Sequence, residues 1–450
     1  MQENKMGVMP VGKLLITMSL PMMASMLMQA LYNVVDSIFV SNYAPGALTA
    51  VTLAFPIQTL IIAFANGAGV GMNALVSRYL GEKRQDAADR AAGHGALLAM
   101  CSYVIFLLFG LFAARPFMYS HETAQTGARV LDMGTEYLTI VTVFSFGVFT
   151  QIIFERLFQS TGRTVYSMVI QGTGAVINMI LDPIMIFGYL GCPEMGVAGA
   201  AVATVIGQMT AATLGAVLCH FKNPEVRLRP RNIFRVDGKL LKNMLLIGIP
   251  TTVMQAIGSV MSYTMDLILV AFEAAADVFG AYFKIQSFVC MPVFGLNAGM
   301  VPIIAYNYGA RNRERIVKTV KLSIILGEAI TFVGFLAFQL MPEALLGMFN
   351  PSAEMLRIGV PALRIISIHF LLCGASIVIS SVFQALGNGI YSAIVSFMRQ
   401  IIVLLPVAYV FSKVFGLEAV WWCFPIAEAV SLTVSVLLLI RINKKVISTI

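Results

Sequence analysis

Residues 14–40, LLITMSLPMMASMLMQALYNVVDSIFV, run for 27 positions with Asp36 as their only charged side chain. At ~1.5 Å per residue, a helix of this length crosses a ~30 Å hydrocarbon core with room to tilt. The run is too long for the apolar core of a signal peptide, and no small-residue cleavage site follows it, so it reads as a span that stays in the membrane. Asp36 is the informative residue. A carboxylate at the centre of a span costs roughly 2.5–3.5 kcal/mol on insertion scales, and such groups mark ion or substrate paths unless they make a structural polar contact.

The rest of the chain has the same character. Of its 450 residues 58% are hydrophobic and 12% are charged, with a mean hydropathy of +0.85, whereas soluble domains carry about 25% charged residues. The apolar segments are continuous rather than alternating, which excludes a β-barrel and predicts an all-α polytopic membrane protein. Windows of ~20 apolar residues give twelve spans, near 14–40, 48–77, 92–114, 135–160, 165–190, 195–220, 243–271, 279–305, 320–341, 362–386, 390–412 and 418–440. The net charge of +8 does not point to nucleic acid, because the basic residues fall in short loops between spans. With the N-terminus inside, the segments on that side hold 23 Lys and Arg residues and the opposite segments hold five, Arg115, Arg129, Arg357, Arg364 and Lys413. The positive-inside bias therefore predicts that both termini are cytoplasmic.

The only long basic linker, FKNPEVRLRPRNIFRVDGKLLK at 221–242, divides the spans into six and six, with lobes expected at 1–220 and 243–450. The halves resemble each other. VVDSIFV (34–40) matches TMDLILV (264–270), RYLGEKR (78–84) matches YNYGARN (306–312), and FQSTGRTVYS (158–167) matches FQALGNGIYS (383–392). Six spans is an even number, so both halves enter the bilayer in the same direction, and a pseudo-two-fold axis along the membrane normal is expected between them. A duplicated architecture of this kind suits a transporter, with substrate bound where the repeats meet.

Charges within the spans are few: Asp36, Asp182, Asp266, Lys284, Glu328, Arg399 and Glu428, with Glu136, Glu155, Arg156 and Arg364 near the ends. In NMILDP, Asn178 and Asp182 lie four residues apart, on one helix face, and Pro183 predicts a kink beside them. Thr204 adds a hydroxyl in an otherwise uncharged span. Asp36, Asn178, Asp182 and Thr204 supply oxygen ligands alone, suited to Na⁺ or a proton and unlike a zinc site. At the repeat offset the partners of Asn178, Asp182 and Thr204 are Val403, Val407 and Phe424, so only Asp36 keeps an acidic counterpart, Asp266. The polar cluster belongs to the N-terminal half. In the C-terminal half Asp266 with Lys284, and Arg399 with Glu428, are expected either to neutralise each other or to face a substrate cavity.

The 27 methionines and 30 phenylalanines read chiefly as packing, with those in 21–28 and 144–158 as candidates for a cavity wall that accepts varied cations. GAGVG (67–71) holds a GxxxG spacing inside an apolar span, which points to close helix contact rather than a nucleotide loop. The six cysteines lack paired spacing and read as small apolar residues, implying neither disulfides nor a metal. With no Walker A, HExxH or GxSxG motif and four isolated histidines, ATP-driven pumping, metal hydrolysis and enzymatic activity in general find no support.

Taken together, VVDSIFVS, the end of the second span leading into LGEKR, FQSTGR, NMILDP and GVAGAAVAT resemble the multidrug and toxic compound extrusion (MATE) family over roughly 14–440. The resemblance implies paired six-helix lobes that export cationic or amphipathic organic compounds in exchange for H⁺ or Na⁺. It implies no cofactor, no nucleic-acid partner, a monomer among membrane lipids, and residence in a bacterial cytoplasmic membrane. Coupling residues of the family on the first, fifth and sixth helices match Asp36, Asn178, Asp182 and Thr204. In another branch acidic residues on the seventh and tenth helices couple transport. Here the tenth span has no carboxylate and the seventh offers only Gln255 and Asp266, which favours the N-terminal site. Related flippases for lipid-linked saccharides, which usually have fourteen spans, are the alternative.

Overall fold

The computed structural model describes residues 4–122, 127–272, 274–349 and 351–449. Among the described residues all regular structure is helical, as backbone hydrogen bonding in a hydrocarbon environment requires of an open chain. Ten helices are long and apolar enough to cross a membrane: Val11–Tyr43, Ala47–Gly81, Gln85–Phe112, Thr164–Phe187, Val197–Lys222, Gly238–Leu269, Ala275–Gly309, Arg313–Leu340, Gly389–Val414 and Leu417–Thr449. Two bent pairs, Ala128–Val143 with Phe146–Ser160 and Ala353–Ser367 with Phe370–Ala385, bring the count to twelve if each pair is one span. Counted in this way, the spans are numbered 1 to 12 in chain order. Most helices overrun their apolar windows: span 1 has 33 residues and is about 50 Å long.

The bends, of 46° and 50°, were not visible in the apolar windows. Neither break contains a proline, although Pro361 lies about two turns before the second. At the first, Ser145 Oγ donates to the Thr142 carbonyl at 2.7 Å, and at the second the His369 ring nitrogen Nδ1 meets the Ile366 carbonyl at 2.6 Å. In both places a side chain adds a second bond to a carbonyl that already accepts from the backbone N–H of the same residue, at the break in the ladder.

The helices form two compact units, Ala24–Thr252 and a second made of the segment up to Met23 with that from Val253 onward. The divisions fall inside spans 1 and 7 rather than in the linker. Glycines make this packing possible. In the first unit, a Cβ on Gly71 would lie 2.7 Å from the Met244 carbonyl oxygen, and one on Gly248 would lie 2.7 Å from that of Gly67, while Thr252 Oγ1 donates to the Ala63 carbonyl at 3.2 Å. In the second unit, Gly295 and Gly299 of span 8 back onto Met23 and Ser19 of span 1. The GxxxG spacing thus serves close helix contact, as expected, and its repeat does the same.

The internal duplication is visible at the level of single bonds. Ser167 Oγ donates to the Glu155 carbonyl at 2.8 Å, and Ser392 Oγ, 225 residues later, donates to the Ser380 carbonyl at 2.6 Å. Lys83 and Arg311 take the same left-handed conformation, φ 58° and 56°, in the turns that follow spans 2 and 8. All six cysteines are free, four of them buried, with Cys101 and Cys192 exposed. The linker contains one short helix, Pro230–Phe234, and its backbone is tied to span 3 by Arg227 N–H donating to Asp89 Oδ1 at 2.9 Å and Asp237 N–H to His94 Nε2 at 2.8 Å.

Candidate functional site

Spans 5 and 6 cross at Gly174 and Gly207, where a Cβ on Gly207 would sit 2.7 Å from the Gly174 carbonyl oxygen. That approach places the next turn of one helix against the preceding turn of the other. Asn178 Nδ2 donates both to Thr204 Oγ1 and to Asp182 Oδ1, each at 3.2 Å. Asp182 is fully buried and Asn178 nearly so. Span 1 brings Asp36 to the same place, where its carboxyl, with Oδ1 buried, is the charged neighbour of the Asp182 carboxyl. The structure therefore gathers all four oxygen-bearing residues anticipated from the sequence, in one unit.

The cluster is short of donors. Asp36 Oδ1, Asp182 Oδ2 and Asn178 Oδ1 are buried acceptors without a hydrogen-bond partner. Two ionised carboxylates ~4 Å apart repel by about 4 kcal/mol at an effective dielectric of 20. A proton shared between them, or a monovalent cation among the three oxygens, removes that repulsion and supplies the missing partner.

The surroundings hold polar groups whose role was not evident in the sequence. Glu155, placed near a span end from its position in the chain, is nine-tenths buried. Gln151 Nε2 donates to Glu155 Oε1 at 2.8 Å and to Gln171 Oε1 at 3.0 Å. Tyr32, one helical turn before Asp36, has Asp36, Asp182 and Glu155 as its charged neighbours. Gln58 Nε2 meets the buried Tyr137 hydroxyl at 2.7 Å. The four-residue spacing of Gln151 and Glu155 was the available signal; Tyr32 and Gln58 gave none, since an uncharged polar residue in a span is common.

The C-terminal charges separate into two kinds. Arg399 Nη1 and Glu428 Oε2 form an ion pair at 3.4 Å with Glu428 buried, and Arg399 sits in a π-helical stretch, Met398–Leu404, inside span 11. The wider turn re-aims the arginine toward span 12. Asp266 and Lys284 do not pair: both are exposed, and Lys284 Nζ lies over the Phe349 ring, 5.8 Å from its centroid. Their adjacency in successive spans did not translate into an ion pair, and Lys284 has the Phe349 ring as its neighbour instead. Gln255 is half-buried. Glu328, which had no evident role, accepts from the Ala375 amide at 2.7 Å beside the Gly327–Gly374 helix contact.

The MatE family model matches residues 21–184 and 250–410, covering both halves of the chain. The chain belongs to the MATE family. Among curated relatives of this transporter, the multidrug export protein MepA of Staphylococcus aureus (strain MSSA476) is 27% identical over 424 residues, 93% of this chain and 91% of the relative. Among solved structures, an outward-facing multidrug resistance MATE transporter of the MOP superfamily superposes with a TM-score of 0.92 at 25% identity, over 100% of this chain and 99% of the other. A MATE crystal structure in complex with MaL6 gives the same TM-score at 24% identity over the whole of both chains. This MATE-family chain is accordingly a multi-pass membrane transporter.

Proposed function

We propose that this transporter is a secondary antiporter that exports cationic or amphipathic organic compounds in exchange for H⁺ or Na⁺, with Asp36, Asp182, Asn178 and Thr204 as its coupling site. The single observation that carries the reading is the set of three buried acceptor oxygens, on Asp36, Asp182 and Asn178, that have no donor. A buried acceptor left unpaired costs about 1–3 kcal/mol, more for a charged one. Binding of one positive charge offsets that cost, so the occupied and unoccupied forms differ in how tightly spans 1, 5 and 6 are drawn together.

Inward movement of the coupling ion neutralises the pair and lets span 1 repack, which discharges cationic substrate outward. One charge moving through 100 mV supplies about 2.3 kcal/mol, which corresponds to nearly a fifty-fold concentration ratio. Asn178 and Thr204 complete the site as neutral ligands. Arg399 and Glu428 serve the C-terminal unit as a structural pair, whereas Gln255, Asp266 and Lys284 are left to meet substrate. The basic asymmetry of the loops puts both termini in the cytoplasm, and the transporter works as a monomer. The names of its relatives support the substrate class: MepA is a multidrug export protein.

The test is uptake of a fluorescent organic cation into inside-out vesicles under an imposed H⁺ or Na⁺ gradient. Uptake that follows one gradient and collapses with it is expected. Uptake that requires ATP, or that equilibrates without following either gradient, overturns the reading.

A further inference from the structure

The start of span 9 sorts its cations onto two faces. Arg315 turns into the protein, where Nη2 donates to the Met6 and Met9 carbonyls at 2.9 and 2.7 Å and Nε to Asn307 Oδ1 at 3.1 Å. That arginine spends three of its five N–H donors on these bonds and holds the N-terminal segment of the chain. Arg313, Lys318 and Lys321 turn the other way and are exposed. They line a groove of about 760 Å³ together with Glu314, Val317, Leu322 and Ile325. None of the three has an acidic partner within 4 Å among the described residues, Glu314 included.

The groove changes chemistry along the helix. Its cations lie within the first nine residues of span 9, where the helix enters the bilayer, and its apolar residues extend to Ile325, which is 63% exposed. We propose that this groove is a binding site for an anionic glycerophospholipid, with the headgroup phosphate held by Arg313, Lys318 and Lys321 and an acyl chain laid along Val317, Leu322 and Ile325. Long basic side chains at a span end reach the headgroup layer while their stems cover apolar surface. Unpaired cations there attract acidic headgroups. A soluble anion would use the cations alone; a lipid uses the cations for its headgroup and the apolar residues for its chain.

Native mass spectrometry of the full-length protein with phosphatidylglycerol and phosphatidylcholine supplied together tests this. Retention of phosphatidylglycerol in preference to phosphatidylcholine is expected. The Arg313→Gln, Lys318→Gln, Lys321→Gln triple variant should lose it at about fivefold in apparent affinity per charge removed. A control triple variant in the linker, Arg227→Gln, Arg229→Gln and Arg231→Gln, should retain it. Lys318→Gln alone, on an exposed and unpartnered side chain, gives the same reading if the triple variant melts early, and no change on that substitution overturns the proposal. Equal loss in the linker variant means diffuse charge attraction, and complete displacement by excess inorganic phosphate means a soluble-anion site. Each of these results refutes it.

Discussion

Gly207→Ala is the sharpest perturbation of the coupling site, because it changes no polar atom. The new methyl would lie 2.7 Å from the Gly174 carbonyl oxygen and 3.3 Å from Asn178 Cβ. Carbon–oxygen contacts settle near ~3.3 Å, so spans 5 and 6 must separate by about 0.6 Å. Asn178 Nδ2 and Thr204 Oγ1 are 3.2 Å apart. A retreat of that size along their line takes the pair to about 3.8 Å, beyond any hydrogen bond. Two separate effects follow. Overpacking at the helix crossing costs about 1–3 kcal/mol of stability. Loss of the Asn178–Thr204 bond, at roughly 1 kcal/mol, weakens apparent affinity for the coupling ion about fivefold without removing either carboxylate. The assay is gradient-driven efflux titrated against the coupling ion, alongside thermal melting in the same detergent. Gly280→Ala is the matched control, since a Cβ there meets nothing within 4 Å. If Gly207→Ala keeps wild-type ion dependence while Gly280→Ala behaves identically in melting, the glycine crossing does not position the site.

Asp36→Asn and Asp182→Asn should each insert and melt normally, keep measurable substrate binding and lose ion-driven export, and wild-type export with unchanged pH and Na⁺ dependence in both would move the coupling site elsewhere. Thr204→Ala should be milder, with a shift in apparent ion affinity and little change in maximal rate. Arg399→Met strands the buried Glu428 carboxylate and should cost about 3–5 kcal/mol of stability, whereas replacing both partners by methionine should be close to neutral; equal melting of single and double variants would argue against the pair. Cysteines placed at Asn232 and Asn312, in a chain without the native six, should resist an impermeant thiol reagent in intact cells, and labelling before permeabilisation would reverse the orientation. Asp237 accepts from the Leu240 and Lys239 amides, and the Leu240 bond above all holds its carboxyl below the usual range. The sign for a depressed carboxyl is that its support is complete above the unfolded value of ~3.9 and is lost as pH falls through the lower folded value. Exchange of those two amides, corrected for intrinsic rate, should therefore be flat from neutral to mildly acid pH, and acceleration above pH ~5 would contradict the cap.

Much of this was legible in the sequence because hydrocarbon leaves few choices. Long apolar runs must be helices, and the repeat between FQSTGRTVYS and FQALGNGIYS carries through to matched Ser167 and Ser392 bonds. Asn178 and Asp182 shared a face by spacing alone, and Arg399 with Glu428 followed from the cost of stranding a charge. Apart from the four-residue spacing of Gln151 and Glu155, what escaped had no local signature. The bend beside Ser145 has no proline in either helix and that beside His369 lies about two turns after Pro361, and the π-helical turn at Met398–Leu404 has no mark in the apolar pattern. Glu155 was placed by its position near a span end, although burial is decided by the helices around it. Asp266 and Lys284 failed to meet because sequence proximity of spans fixes no helix rotation.

The division of the chain at Met23 and at Val253 bears on how the molecule is made and how it can be cut. One unit, Ala24–Thr252, is a continuous stretch of polypeptide that begins and ends inside a helix, and the other is assembled from two separate stretches. During synthesis the first unit stays incomplete until residues 238–252 have left the ribosome, since Gly67 and Gly71 lack their partners Gly248 and Met244 before then. The opening 23 residues must wait for span 8, which supplies Gly295 and Gly299. Severing the linker at about residue 230 would give two fragments, each missing a half-helix that the other carries. Neither half-gene alone should yield a protease-resistant product, and co-expression of the two should restore one.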